Sequence, residues 1–203
     1  QTITPQFGQE WVSRFGFDAD KNPPYLTMAL GAGSVTPMQL AAGYSVFANG
    51  GYRVNPFLIT RITDHTGKVL VESRPTGLTE PSRAIDARNA FIMNTMLQEV
   101  ARSGTAARAQ ATLKRADIAG KTGTTNDSMD AWFAGYQPTM AAVTWIGYDT
   151  PRKLGSNSLS TGGGLSLPVW ISFSTRFISA LVASVMMRGP VTYSPHSAVL
   201  EIE

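Results

Sequence analysis

Gly120-Lys121-Thr122-Gly123-Thr124 is the segment whose residue types and spacing could do chemistry. Two chemistries compete for it. In the first, Gly-Lys-Thr closes a G-x-x-x-x-G-K-[ST] phosphate loop, whose backbone amides cradle phosphates ahead of a helix N-terminus. That loop asks for glycine five residues before Gly120, where Arg115 stands. It also asks for a flexible cradle, where Ala116-Asp117-Ile118 is strand-like, and for a following helix, where a turn and a second strand-like run come next. In the second, the segment is a substrate-binding edge strand. Lys121 supplies a fixed positive charge, Thr122 and Thr124 offer hydroxyl donors to a carboxylate, and Gly123 lets a ligand backbone approach closely. Strand alternation sets Lys121 and Gly123 on one face and the two threonines on the other. At a sheet edge both faces can contribute, and an extended peptide can add itself as a further strand. The Thr124 N–H would then be free to stabilise an oxyanion. Together these features describe a site for an acyl donor ending in a carboxylate.

Composition removes several other chemistries. The 203 residues contain no cysteine, and the two histidines, His65 and His196, fall short of a three- or four-ligand zinc set, so no metal or other cofactor is expected. A net charge of +3, spread without a basic block, argues against a nucleic-acid partner. With 43% hydrophobic and only 15% charged residues the chain folds rather than remaining disordered, and it exposes few charges. The longest nearly apolar run, Phe177 to Met187, is well below the ~20 residues of a membrane-spanning helix. Gln1-Thr2-Ile3 has neither an initiator Met nor a signal pattern, so the chain reads as a piece of something longer.

The elements that must position the segment follow from local signals. Thr36, Pro37 and Gln39 form a capping box that starts a helix running to Ala48, with Leu40, Tyr44, Phe47 and Ala48 on one apolar face and Asn49-Gly50-Gly51 as its stop. Glu10 to Phe17 is expected to be helical and Asn22-Pro23-Pro24 a loop. Phe57 to Ile62 and Lys68 to Val71 read as a hairpin about a Thr63 to Gly67 turn, which puts His65 at the surface. Asp86 caps a helix to about Arg102, with Ile92, Met93, Met96, Leu97 and Val100 as its expected buried stripe. Three extended segments follow, Ala116 to Thr124, Asp130 to Tyr136 and Met140 to Tyr148, the last two joined by a short turn and therefore antiparallel. Trp132 and Tyr136 oppose Phe133, so both faces of the sheet are apolar and helices should cover both. Pro168 to Met187 is one such cover, with Trp170, Phe173, Phe177 and Leu181 as its stripe. The Gly/Ser-rich loop Thr150 to Ser166 is long enough to be a functional edge.

Taken together, the blocks Ala29-Leu30-Gly31-Ala32, Val35 to Ala41, Phe47 to Gly51, Ser103-Gly104-Thr105-Ala106, Ala119 to Thr125, Asp130 to Tyr136 and Trp145 to Asp149 resemble, in order and spacing, the class A penicillin-binding proteins of the 1A type. The resemblance implies an α/β (α+β) fold of the penicillin-binding protein/serine β-lactamase-like transpeptidase kind, here incomplete. It assigns 1–190 to the C-terminal part of the transpeptidase domain and 191–203 to a C-terminal tail. The family's K-T-G strand maps onto Lys121, Thr122 and Gly123, and its second oxyanion amide onto Thr124. S-x-x-K and S-x-N, which carry the nucleophile and its partners, occur nowhere in the chain, so no catalytic residue is assigned.

The partners implied are a peptidoglycan stem peptide ending in D-Ala-D-Ala, β-lactams and the N-terminal part of the same protein, with self-association of the fragment expected in its absence. The implied location is the periplasmic face of the bacterial inner membrane, reached through an upstream anchor, with a glycosyltransferase domain also upstream. A serine β-lactamase relative and a non-catalytic binding module are the alternatives.

Overall fold

The computed structural model describes residues 3–75, 77–155 and 159–188, with the side chains of 179–188 left out of account. The expected tail 191–203, with His196, lies outside the described residues, as does the Leu181 side chain. The first two α-helices start on the same local signal. In α1 (Pro5–Ser13) the Thr4 hydroxyl accepts from Phe7 N and Pro5 takes the first helical position. In α2 (Pro37–Ala48) both arms of the capping box form, Gln39 N donating to Thr36 Oγ1 (3.2 Å) and Thr36 N to Gln39 Oε1 (2.9 Å). The helix expected at Glu10 to Phe17 is thus displaced: Thr4-Pro5 starts it earlier, and it has ended by Ser13, ahead of a left-handed Gly16.

The hairpin forms from β1 (Arg61–Thr63) and β2 (Val69–Glu72), with every strand residue exposed. Its turn is organised by Asp64, whose carboxylate accepts from Thr66 Oγ1 (2.6 Å), Thr66 N (2.8 Å) and Lys68 N (3.0 Å). His65 is exposed on that turn. The first strand is shorter than Phe57 to Ile62 because β2 pairs only as far as Arg61.

Asp86 caps α3 (Ala87–Arg102), accepting from Arg88 N at 2.9 Å, and α4 (Ala107–Leu113) follows after a tight turn. The buried stripe of α3 is Ala90, Leu97 and Ala101, whereas Ile92 and Met96 are more than half exposed. Each buried residue meets a different neighbour: Ala90 packs with Phe15, Val46 and Ile85, Leu97 with Ala119 and Tyr136 of the sheet, and Ala101 in the cluster that holds Ile118 and Phe133.

That sheet is antiparallel throughout, ordered β3 (Ala119–Thr124), β4 (Ala131–Gln137), β5 (Met140–Ile146). The strand expected from Ala116 begins only at Ala119. Gln110 Nε2 takes the carbonyls of Ala116 (3.2 Å) and Ile118 (3.1 Å), and Arg115 ion-pairs with Asp117 (2.5 Å), so a side chain satisfies the backbone there. β5 stops at Ile146 and not at Tyr148, since its partner Ala131 is the first residue of β4.

α5 (Leu167–Arg188), entered through a π-helical turn at Gly162–Ser166, covers one face. Its Trp170 packs edge-on to Phe133 (ring centroids 5.1 Å) and donates through Nε1 to Ala142 O (3.1 Å). A Cβ at Gly135 would stand 2.5 Å from Phe133 and 2.9 Å from Trp170, so only glycine fits beneath the indole. Phe173 is 43% exposed, correcting the expected stripe; Leu167, Trp170, Ile171 and Ser174 are buried, with Phe177 partly covered. On the opposite face Tyr136 meets Tyr44 of α2 (6.4 Å) and packs with Leu97, Phe47 and Ala48. α2 also sends Val46 into a second cluster with Phe15, Ile85 and Ala90. Helices therefore cover both faces of the sheet, as the apolar alternation requires.

Burial pushes the Tyr44 phenol up to about 12 and raises Tyr136 further, with the neighbouring Tyr44 adding to the latter. The unfolded chain gives up these protons near the ordinary value of 10.0. Stability from them is therefore complete below pH 10 and is lost as pH climbs through about 12. Denaturation midpoints measured from pH 9 to 12 should fall along that window, and Tyr44→Phe should flatten the fall. An equally steep fall in Tyr44→Phe would remove Tyr44 from the explanation.

Candidate functional site: the edge strand β3

Two hydrogen bonds settle which backbone groups of β3 face outward. Thr125 N donates to Asp130 O (3.1 Å), one step beyond the last ladder pair Thr124↔Ala131. Residues in the same phase, Ala119, Lys121 and Gly123, thus turn their N–H and C=O toward β4. Gly120, Thr122 and Thr124 turn theirs to the open edge. Lys121 agrees with this phase, because its Nζ reaches round to Thr122 O at 2.9 Å. Among the described residues, no backbone bond from a turn or loop occupies the N–H of Thr122 or Thr124.

The side chains divide as alternation predicts. Lys121 is exposed, on the face that Gly123 shares with Trp132, where a Cβ at Gly123 would stand 3.2 Å from Trp132 Cβ. Trp132 continues to Trp145 (6.0 Å), whose Nε1 donates to Asp130 Oδ1 (2.8 Å) at the mouth of the β3–β4 turn. In that turn Asp127 and Ser128 hold left-handed backbone (φ 58° and 53°), and Lys153 ion-pairs with Asp127 at 2.9 Å.

Thr122 and Thr124 sit on the Phe133 face beneath two turns. Thr105, between α3 and α4, places its hydroxyl 2.7 Å from that of Thr122. Gly162, opening the π-helical turn before α5, donates its N–H to Thr124 Oγ1 at 3.0 Å. Gly162 lies so close to the sheet that a Cβ would be 2.3 Å from Trp132 O and 2.4 Å from Gly123 O. Thr161 caps this turn by accepting from Gly164 N (3.1 Å), and Ser166 Oγ ties its end to Ala131 O (2.6 Å). The end of the Gly/Ser-rich loop is thus seated on the candidate strand.

All four residues singled out from the sequence, Lys121, Thr122, Gly123 and Thr124, lie together on one edge strand that pairs with β4. Two concave sites, one between α2 and α3 at Phe47, Asn94 and Tyr136 and one on α3 at Phe91, Ile92 and Met96, lie away from it. The described residues therefore build one wall at the β3 edge. After Thr122 the chain continues as strand, a 3-10 turn and β4, so no helix N-terminus is available for phosphate. Thr105 and Gly162 were not recognised as parts of the site from the sequence. The glycine run at Gly162-Gly163-Gly164 was the available signal for one; Thr105 had none beyond its block.

A helix-covered antiparallel sheet with Lys-Thr-Gly on its outer strand has the penicillin-binding protein/β-lactamase-like fold. The solved penicillin-binding protein 1A of Haemophilus influenzae superposes with a TM-score of 0.77 at 30% identity, covering 94% of this chain and 32% of that one. Penicillin-binding protein A of M. tuberculosis, solved as an imipenem acyl-enzyme complex, shares the fold at a TM-score of 0.57 and 21% identity, covering 86% of this chain and 44% of its own. Residues 5–166 match the penicillin binding protein transpeptidase domain, and the chain belongs to that family. Penicillin-binding protein 1A of Neisseria flavescens is 48% identical over 168 residues, covering 82% of this chain, and that of Pseudomonas aeruginosa 38% over 209, covering 80%. The chain spans only 21% and 25% of their respective lengths.

The close seat of Gly162 generates a test. Gly162→Ala should lift the turn from β3 and destabilise the domain by roughly 1–3 kcal/mol, the usual range for overpacking. Chemical denaturation reads this directly; an unchanged midpoint would show that the turn does not rest on the strand.

Proposed function

We propose that these residues form the C-terminal part of a peptidoglycan D,D-transpeptidase domain, in a class A penicillin-binding protein that also carries a glycosyltransferase. The observation that carries the proposal is the Lys-Thr-Gly-Thr strand at an open sheet edge in a chain belonging to the transpeptidase family. In the reaction, a serine supplied by the parent protein attacks the carbonyl of the penultimate D-Ala, expels the terminal D-Ala and passes the acyl group to an amine of a neighbouring stem peptide. Lys121 and the hydroxyls of Thr122 and Thr124 hold the terminal carboxylate by charge-assisted hydrogen bonds. The outward N–H of Thr124 stabilises the oxyanion, and Gly123 leaves space for the peptide backbone. A β-lactam presents an acyl group and a carboxylate to the same strand and is trapped as the acyl-enzyme.

The parent protein works on the periplasmic face of the inner membrane. The anchor is placed in the upstream part on the likeness to the class A proteins; no helix among the described residues is long and apolar enough to cross a membrane.

Two outcomes are expected. The 203 residues alone should take no covalent label from a fluorescent penicillin, because S-x-x-K is not among them; label that survives denaturation on this chain would overturn the assignment. In the full-length parent, Lys121→Ala or Thr122→Ala should each slow acylation about 10- to 100-fold, the equivalent of losing ~1.5–3 kcal/mol of a hydrogen bond to a charged group. Wild-type acylation rates in both variants would sink the role given to β3.

A further inference from the structure

Thr105 lies outside the Lys-Thr-Gly strand, yet its hydroxyl is the one side-chain group seen to hydrogen-bond the Thr122 hydroxyl among the described residues, at 2.7 Å. Its own turn is fixed from below. Gly104 N and Ala106 N both donate to Val100 O (3.1 and 3.2 Å), and Ala106 is fully buried. From the other side Gly163 closes in, where a Cβ would stand 3.3 Å from Thr105 O and 3.9 Å from Thr122 Cγ2. The turn before α4, the turn before α5 and β3 thus converge on one hydroxyl pair.

We propose that Thr105 is a positioning residue for carboxylate binding: it donates its proton to Thr122 Oγ1 and so commits the Thr122 proton to the ligand. This rests on the reading of β3 as the carboxylate-binding strand. A carboxylate can only accept hydrogen bonds. When one occupies the edge, Thr122 must donate to it, and the 2.7 Å contact is then satisfied only with Thr105 as donor. Two hydroxyls donating in series polarise each other and strengthen the terminal bond to the anion. Thr124 needs no such help, because the partner of its Oγ1 is the Gly162 amide, which can only donate. Of the two threonines, Thr122 is the one whose donor direction is set by a replaceable side chain.

The test uses the full-length protein and compares acylation by a penicillin bearing its free carboxylate with acylation by the methyl ester of the same compound. Thr105→Val, which keeps the shape and removes the hydroxyl, should slow acylation by the acid about tenfold, equivalent to ~1.4 kcal/mol. The ester rate should change less than about twofold, so the acid-to-ester ratio falls, and Thr105→Ser should restore it. Thr105→Ala serves as a second removal of the hydroxyl should the valine variant fold poorly. Equal slowing of acid and ester would reveal a merely structural residue and overturn the inference. An unchanged ratio at Thr105 with a lowered ratio in Thr122→Val would also overturn it while leaving the strand's role intact. An unchanged ratio in Thr122→Val would defeat both.

Discussion

The Trp170 indole lies against Phe133, over the bare backbone of Gly135, and donates to Ala142 O, so it fastens α5 to β4 and β5 at once. An edge-on aromatic pair contributes about 0.5–1.5 kcal/mol beyond its burial, and the bond to Ala142 O keeps the buried indole N–H paired. Because α5 is fixed here, the Gly162–Ser166 turn directly ahead of it is fixed too, through Ser166 Oγ on Ala131 O. That turn in turn supplies the amide that holds the Thr124 hydroxyl. The geometry of the β3 edge thus descends from packing further along the same, Phe133, face of the sheet. Gly120, Gly135 and Gly162 stand where this packing crowds the backbone, against β4, against Phe133 and Trp170, and against the sheet carbonyls respectively: each would meet a neighbour at under 3 Å if it carried a Cβ.

The two sides of β3 are built to different standards of order. On the threonine side both hydroxyls have fixed partners brought by separate elements. On the lysine side Lys121 rests on a carbonyl of its own strand and forms no ion pair among the described residues. A long flexible cation beside two fixed donors is a sensible division, since charge acts over distance whereas hydrogen bonds depend on angle.

What could be read from the sequence was local in origin. The capping box at Thr36, the Asp86 cap, the Asp64 turn and the alternation of Trp132, Phe133 and Tyr136 are all decided within a few residues. The four β3 residues were readable for the same reason, since one short run holds the charge, the hydroxyls and the glycine. The faces of α3 and α5 were not, because Ile92, Met96 and Phe173 satisfy a helical period as well as the buried residues do, and only tertiary packing selects between them. The start of β3 escaped because Gln110, from the preceding helix, replaces a strand partner. Thr105 and Gly162 enter the site through tertiary contact alone, and pattern reading has no access to that.

The position of α2 bears on how the chain reaches this structure. β3, β4 and β5 pair with their neighbours in sequence, so their loops close at small entropic cost, and α5 returns to them over shorter separations than α2 does. The meeting of Tyr44 with Tyr136 is different, because the hairpin, α3 and α4 all intervene. High contact order of this kind slows folding, since a long segment must be immobilised before the contact repays it. The C-terminal half is therefore suited to act as a template, assembling on its own local pairings before α2 docks and seals the second face of the sheet.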